Sequence, residues 1–161
     1  MKKRLAVFGT LATLAVLALV TTSTASQATA PTGSSAQFTY RATIAPLHFD
    51  SDSYKIFQKD SQDVVMRQLT IAPGGDSGWH FHPGPTYVLV IQGALTNYHA
   101  NDPTCTGQVI NAGQGFVEPP GDVHIVRNVG TVPAVVVVTF TDVPVGGAYR
   151  LDAQRPGNCP F

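Results

Sequence analysis

From residue 38 to the C-terminus, apolar and polar residues exchange places with the short period of strands, not the 3.6-residue period of helices. Val64 to Ala72 alternates until Pro73-Gly74-Gly75 breaks the pattern. Tyr87-Val88-Leu89-Val90-Ile91 is a continuous apolar run of strand length, closed by Gly93 and followed by Ala94 to His99, which predicts buried hairpin-like structure. Phe38 to Ile44, Tyr54 to Phe57, Gln108 to Asn111, Gly115 to Val117, His124 to Arg127 and Ala134 to Asp142 continue the rhythm, with Pro or Gly between most of them. No ten-residue segment beyond the N-terminal region has helical periodicity. About eight to ten short strands in ~130 residues predict an all-β fold, a closed barrel or a two-sheet roll. No internal repeat is present.

Composition agrees and narrows the choice. A chain of 161 residues has room for one ordinary globular domain, and 15 Gly with 12 Pro suit short strands and tight turns. Ten basic residues balance ten acidic ones, and no basic run beyond the N-terminus offers a footprint for a phosphate backbone, so nucleic acid is a poor partner.

Lys2, Lys3 and Arg4 precede an apolar stretch from Leu5 to Val20 and a small polar run to Ala30, the pattern of a secretory signal. A membrane anchor is the competing reading, but the stretch contains Gly9, Thr10 and Thr13 and falls short of the ~20 apolar residues that span a bilayer. Ser23-Thr24-Ala25 and Ala28-Thr29-Ala30 are competing cleavage sites. The expected organisation is a signal segment over 1–30, a Gly/Ser-rich flexible lead-in over 31–37 and one domain over 38–161. The expected location is secreted or periplasmic, without a stable membrane anchor. Cleavage removes three basic residues and no acidic one, leaving a mildly acidic protein. Its two cysteines, Cys105 and Cys159, then face an oxidising compartment, where a pair of thiols in a small domain becomes a disulfide. The rival role, metal ligand or nucleophile, lacks a CxxC neighbour.

Histidines carry the candidate chemistry. His80 and His82 flank Phe81, and in an extended segment side chains two apart share a face. His124 opens another strand after Pro119-Pro120-Gly121. Three neutral imidazoles converging from two strands suit a divalent transition metal such as Fe, Cu, Zn, Ni or Mn. Histidines bound to water or to backbone groups are the commoner case for an isolated His-x-His pair.

Around these histidines the sequence resembles the cupin superfamily. Gly74, His80, His82 and Gly93 fall on the first cupin motif, and Gly113, Pro119, Gly121, His124 and Asn128 match every fixed position of the second. The ending from Asp152 to Phe161 is similar to small exported bacterial cupins without an assigned reaction. The resemblance implies a double-stranded β-helix, or jelly-roll barrel, with His80, His82 and His124 on a metal inside it. It also implies a small-molecule ligand or substrate and a possible homodimer. One position departs: where the family places a ligand glutamate, this chain has Thr86.

Without that carboxylate, three neutral imidazoles leave a dication site at +2 instead of +1, more open to water or anions. Within cupins such sites resemble those of thiol and diketone dioxygenases, which implies a metal-dependent oxygenase. Export disfavours Fe(II) and favours copper or zinc. A non-catalytic small-molecule-binding cupin is the alternative. Glu118, the sole glutamate of the chain, has two readings: a fourth ligand or catalytic base, or a solvated turn residue. Thr86, Phe81, Phe116 and Gln68 are pocket candidates, with Trp79, Tyr87 and Tyr98 as further aromatics that either line the pocket or fill the core. Arg67 and Gln68 alternate on one strand, so one of them faces the pocket. His48 and His99 lie outside both motifs and are expected at the surface.

Overall fold

The computed structural model describes residues 28–161, so the leader expected over 1–30 lies almost wholly outside the described residues. All regular structure among the described residues is β, and none of it is a helix long and apolar enough to cross a membrane. The strands are β1 (Thr32–Ile44), β2 (Leu47–Asp50), β3 (Lys55–Gln58), β4 (Gln62–Asp76), β5 (His80–Phe81) and β6 (Thr86–Gln92). They continue with β7 (Ala94–His99), β8 (Gln108–Asn111), β9 (Gly115–Glu118), β10 (His124–Arg127), β11 (Ala134–Val143) and β12 (Leu151–Asp152).

Antiparallel pairing orders β1-β4-β11-β6-β9 as one wall and β12-β5-β10-β7-β8 as the other, while β2 and β3 form a separate hairpin. The walls join where Asp76 at the end of β4 faces Arg127 of β10. This is the two-sheet jelly-roll barrel of the cupin fold. Inward residues of both walls meet in one core that includes Val65, Ile71, Val90, Leu95, Ile110, Val136 and Phe140. A second, smaller core lies outside the β5–β10 wall, where Trp79, Ile125 and Cys159 are buried beneath Tyr98, Val123 and Phe161. The Cys105–Cys159 disulfide closes this outer core, with Cα atoms 5.4 Å apart.

Three local expectations are corrected. The Gly/Ser-rich segment before Phe38 is strand, because its backbone groups are satisfied in the ladder that pairs Ser34 with Ile71 and Ala36 with Leu69. The Pro73-Gly74-Gly75 break does not end β4. Gly74, at φ 78°, redirects it from β11 toward the other wall, where Gly74 N–H donates to Asn128 O and Asn128 N–H donates to Gly75 O. Nor do β6 and β7 form a hairpin: β6 pairs with β11 and β9, β7 with β10 and β8, and the chain turns a barrel corner at Gly93. Only alternate residues of the apolar run are buried. Val88 and Val90 face the core, whereas Tyr87, Leu89 and Ile91 are about half exposed on the outside, at 48%, 53% and 57%.

Candidate metal centre

His80 lies on β5 directly opposite His124 on β10, and His82 follows two residues after His80. The pleat turns all three rings to the barrel interior, where each is buried. One ligand nitrogen from each lies within 4.8 Å of the others, and the ring centroids are 4.5–5.3 Å apart.

Backbone carbonyls orient each ring. Nδ1 of His80 meets Gly78 O at 2.8 Å, that of His82 meets Tyr149 O at 2.7 Å and that of His124 meets Asp122 O at 2.9 Å. A carbonyl can only accept, so each Nδ1 carries the proton and each Nε2 presents its lone pair to the shared space. Three separate stretches of backbone thus impose one tautomer on three rings.

Glu118 completes the cluster. It is buried at the end of β9, with one carboxylate oxygen 3.1 Å from His82 Nε2 and the other 3.1 Å from His124 Nε2. The solvated-turn reading is therefore corrected. Its Cα partner across the ladder is Thr86, so the two side chains stand side by side on the inner face. The expectation of a site without a carboxylate is corrected with it: Glu118, one strand away from Thr86, supplies one.

The electrostatics are those of a cation-binding space. With Nδ1–H fixed, a carboxylate oxygen against a neutral Nε2 sets lone pair against lone pair, and only a second proton or a metal ion relieves it. Without metal, a proton on His124 serves. Burial alone would lower His124, but its contact with Glu118 outweighs this and raises it. Burial likewise pushes Glu118 up, yet its close contacts with His124 and His82 prevail and hold it well below the usual carboxylate range. His80 has no such partner, and burial, with the charges of His124 and Arg150, lowers it to about 2. His124 Nε2, although 3.1 Å from Glu118, is not in a well-aligned hydrogen bond, and Thr86 Oγ1 is buried without a hydrogen-bond partner among the described residues. Orphaned donor atoms beside a carboxylate, in a set of three nitrogens and one oxygen, fit a divalent transition metal.

The cluster opens on a cavity of about 580 Å³ that is lined by His80, His82, Glu118, Arg67, Tyr149 and Arg150 on its polar side, and by aliphatic residues of the main core elsewhere. None of the four pocket candidates from the sequence, Thr86, Phe81, Phe116 and Gln68, is in that lining. Gln68 occupies the outward phase of β4, Phe116 packs against the core, and Thr86 lies buried beside Glu118. Trp79 and Tyr98 belong to the outer core, and Tyr87 is on the outer surface. The aromatics that do line the cavity are Phe140 and Tyr149. His48 is exposed as expected, but His99 is not a plain surface group. It pairs across the ladder with His124, and its Nδ1 lies 2.5 Å from a carboxylate oxygen of Asp122.

The family model Cupin_2, described as the cupin domain, matches residues 67–140, which contain the three histidines and Glu118. Residues 67–140 are thus a cupin domain. Among curated relatives, germin-like protein subfamily T member 3 of Arabidopsis thaliana is 38% identical over 98 residues, covering 58% of this chain and 43% of the relative. Auxin-binding protein ABP19a of Prunus persica is 33% identical over 91 residues, covering 55% and 43%. The matched part thus spans less than half the length of these relatives. Among solved structures, an oxalate oxidase in complex with the substrate analogue glycolate is 33% identical, covers 50% of this chain and 42% of its own, and superposes with a TM-score of 0.43.

Proposed function

We propose that this protein is an exported metal-dependent cupin in which His80, His82 and His124 bind one divalent transition metal through Nε2, with Glu118 as fourth protein ligand. The convergence of three Nε2 atoms whose Nδ1 protons are held by backbone carbonyls carries this reading. A metal held there would supply a Lewis-acidic centre and, if redox-active, a means of engaging oxygen. The residues of the chain hold the rings in one tautomer and would bring the negative charge of Glu118 against the ion in a buried setting. The reaction class that fits is oxygenation of a small organic molecule, and the Cys105–Cys159 bond and the N-terminal leader pattern support action outside the cytoplasm.

Elemental analysis of the purified chain and of single alanine variants at the three histidines tests the reading. About one metal per wild-type chain, and at least tenfold weaker retention in each variant, are expected. Equal metal content in a His80, His82 and His124 triple-alanine variant contradicts it. Oxygen uptake with thiols, diketones and flavonols then separates an oxygenase from a non-catalytic binding protein.

A further inference from the structure

The ladder register layers the interior of the β4-β11-β6-β9 wall. Val65, Phe140, Thr86 and Glu118 form the layer of the metal centre, and Arg67, Val138, Val88 and Phe116 form the next. Leu69, Val136 and Val90 lie beyond. Arg67 is therefore one layer, ~7 Å along a strand, from the level of Glu118. It is an arginine at an inward position between valines and leucine, and it lines the cavity.

Its guanidinium is only partly used. Nε donates to Thr39 Oγ1 at 3.1 Å and the plane lies over the Tyr149 ring at 5.5 Å, while neither Nη atom has a hydrogen-bond partner among the described residues. Arg150, the other cavity arginine, is occupied by Asp152 and by the carbonyl of Ser77. A fork of free N–H donors on a wall otherwise built of Leu69, Val88, Val136 and Val138 matches a carboxylate attached to an apolar body. The charge on Arg67 would meet the carboxylate, and the aliphatic residues would cover the hydrocarbon.

We infer that the cavity binds an organic acid with an apolar body, whose carboxylate is held by the Nη atoms of Arg67 and whose remainder lies between the aliphatic wall and the histidine cluster. This rests on the metal-site reading only for what happens to the bound acid, not for the binding itself. Phenylacetate and its neutral isostere phenylacetamide are suitable probes, with inorganic phosphate as a bare anion. Calorimetric titration of the purified protein, with metal content measured in the same samples, tests the assignment.

Phenylacetate is expected to bind at least about tenfold more tightly than phenylacetamide and than phosphate. Arg67→Gln is expected to remove that margin while metal content and amide binding stay unchanged. Arg67→Lys, which keeps the charge and loses the fork, should fall between them. Equal affinity for acid and amide, or unchanged acid binding in both Arg67 variants, overturns the inference. Phosphate binding as tightly as phenylacetate overturns the apolar part and leaves an anion site only. Arg67-dependent acid binding by a protein without metal upholds it and refutes the metal reading instead.

Discussion

The two walls of the barrel differ in how they are covered. The β12-β5-β10-β7-β8 wall carries all three histidines and is packed on both faces at β10, with His124 and Val126 turned inward and Ile125 held beneath Trp79 and the disulfide. The β1-β4-β11-β6-β9 wall is packed only on its inner face and leaves Tyr87, Leu89, Ile91 and Val117 about half exposed. The histidine frame thus sits on the wall that packing and a covalent bond fix from behind. Glu118 and Arg67, from the other wall, meet that frame across the cavity. Packing and a covalent bond are concentrated behind the three rings whose directions the proposed metal would need held together.

Truncating the outer core should have the largest effect. Trp79 is fully buried, stacks on Phe161 and donates from Nε1 to the Phe161 carbonyl at 2.8 Å. Trp79→Ala is expected to cost about 4 kcal/mol in denaturant unfolding, against less than about 1 kcal/mol for Leu89→Ala on the opposite wall. Similar costs for the two would erase the contrast.

Replacing both Cys105 and Cys159 with Ser comes next, at about 3 kcal/mol by thermal or denaturant unfolding. Metal affinity should weaken with it, because the C-terminal segment anchored by Cys159 also brings Tyr149 O to His82 Nδ1. Full metal affinity in the folded double-serine variant would show that the outer core does not support the site.

Over about the first two pH units below 6.5, a smaller effect is expected from acid. In the metal-free protein His80 stays neutral down to about 2, whereas the unfolded chain takes up that proton near 6.5. The unfolded state therefore binds more protons between those values, and stability falls as pH drops below 6.5, by about 1.4 kcal/mol per unit from this residue. His80→Gln should flatten the slope of unfolding free energy against pH. An unchanged slope would mean that the ring is not buried in its neutral form.

The smallest effect on stability belongs to the outer face of β6. Ile91→Lys should change folding free energy by no more than about 0.5 kcal/mol. Because β9 ends its wall and adjoins this apolar strip, a second copy of the chain is the occupant that would cover it. Light scattering should then show a wild-type dimer and an Ile91→Lys monomer. A wild-type monomer leaves the strip bare and refutes the pairing.

Much of this was legible in the sequence because short-period alternation and turn residues mark strands directly. The ranges of β8 and β10 were readable to the residue, the three histidines followed from their spacing together with the resemblance to the cupin motifs, and the cysteine pair followed from composition and the leader pattern. What escaped depends on cross-strand register. Arg67 and Gln68 both lie among apolar neighbours, since β4 has Val65, Leu69 and Ile71 on one face and Val64 and Met66 on the other, so the inward phase had no local signature. Glu118 precedes a proline turn, and its burial depends on its position opposite Thr86, which only pairing reveals. Tyr149 and Arg150 reach the cavity from an irregular segment with no period to read. The corner at Gly93 mimicked a hairpin because one glycine serves either turn.

X-ray absorption at the metal edge of the cobalt-loaded full chain, wild type beside Glu118→Gln, tests the metal centre most directly. The predicted wild-type spectrum shows scattering from three imidazoles and at least one carboxylate oxygen, and Glu118→Gln retains the imidazoles while losing the carboxylate contribution. A wild-type shell with fewer than three imidazoles, or a spectrum unaltered by Glu118→Gln, would contradict the four-ligand centre.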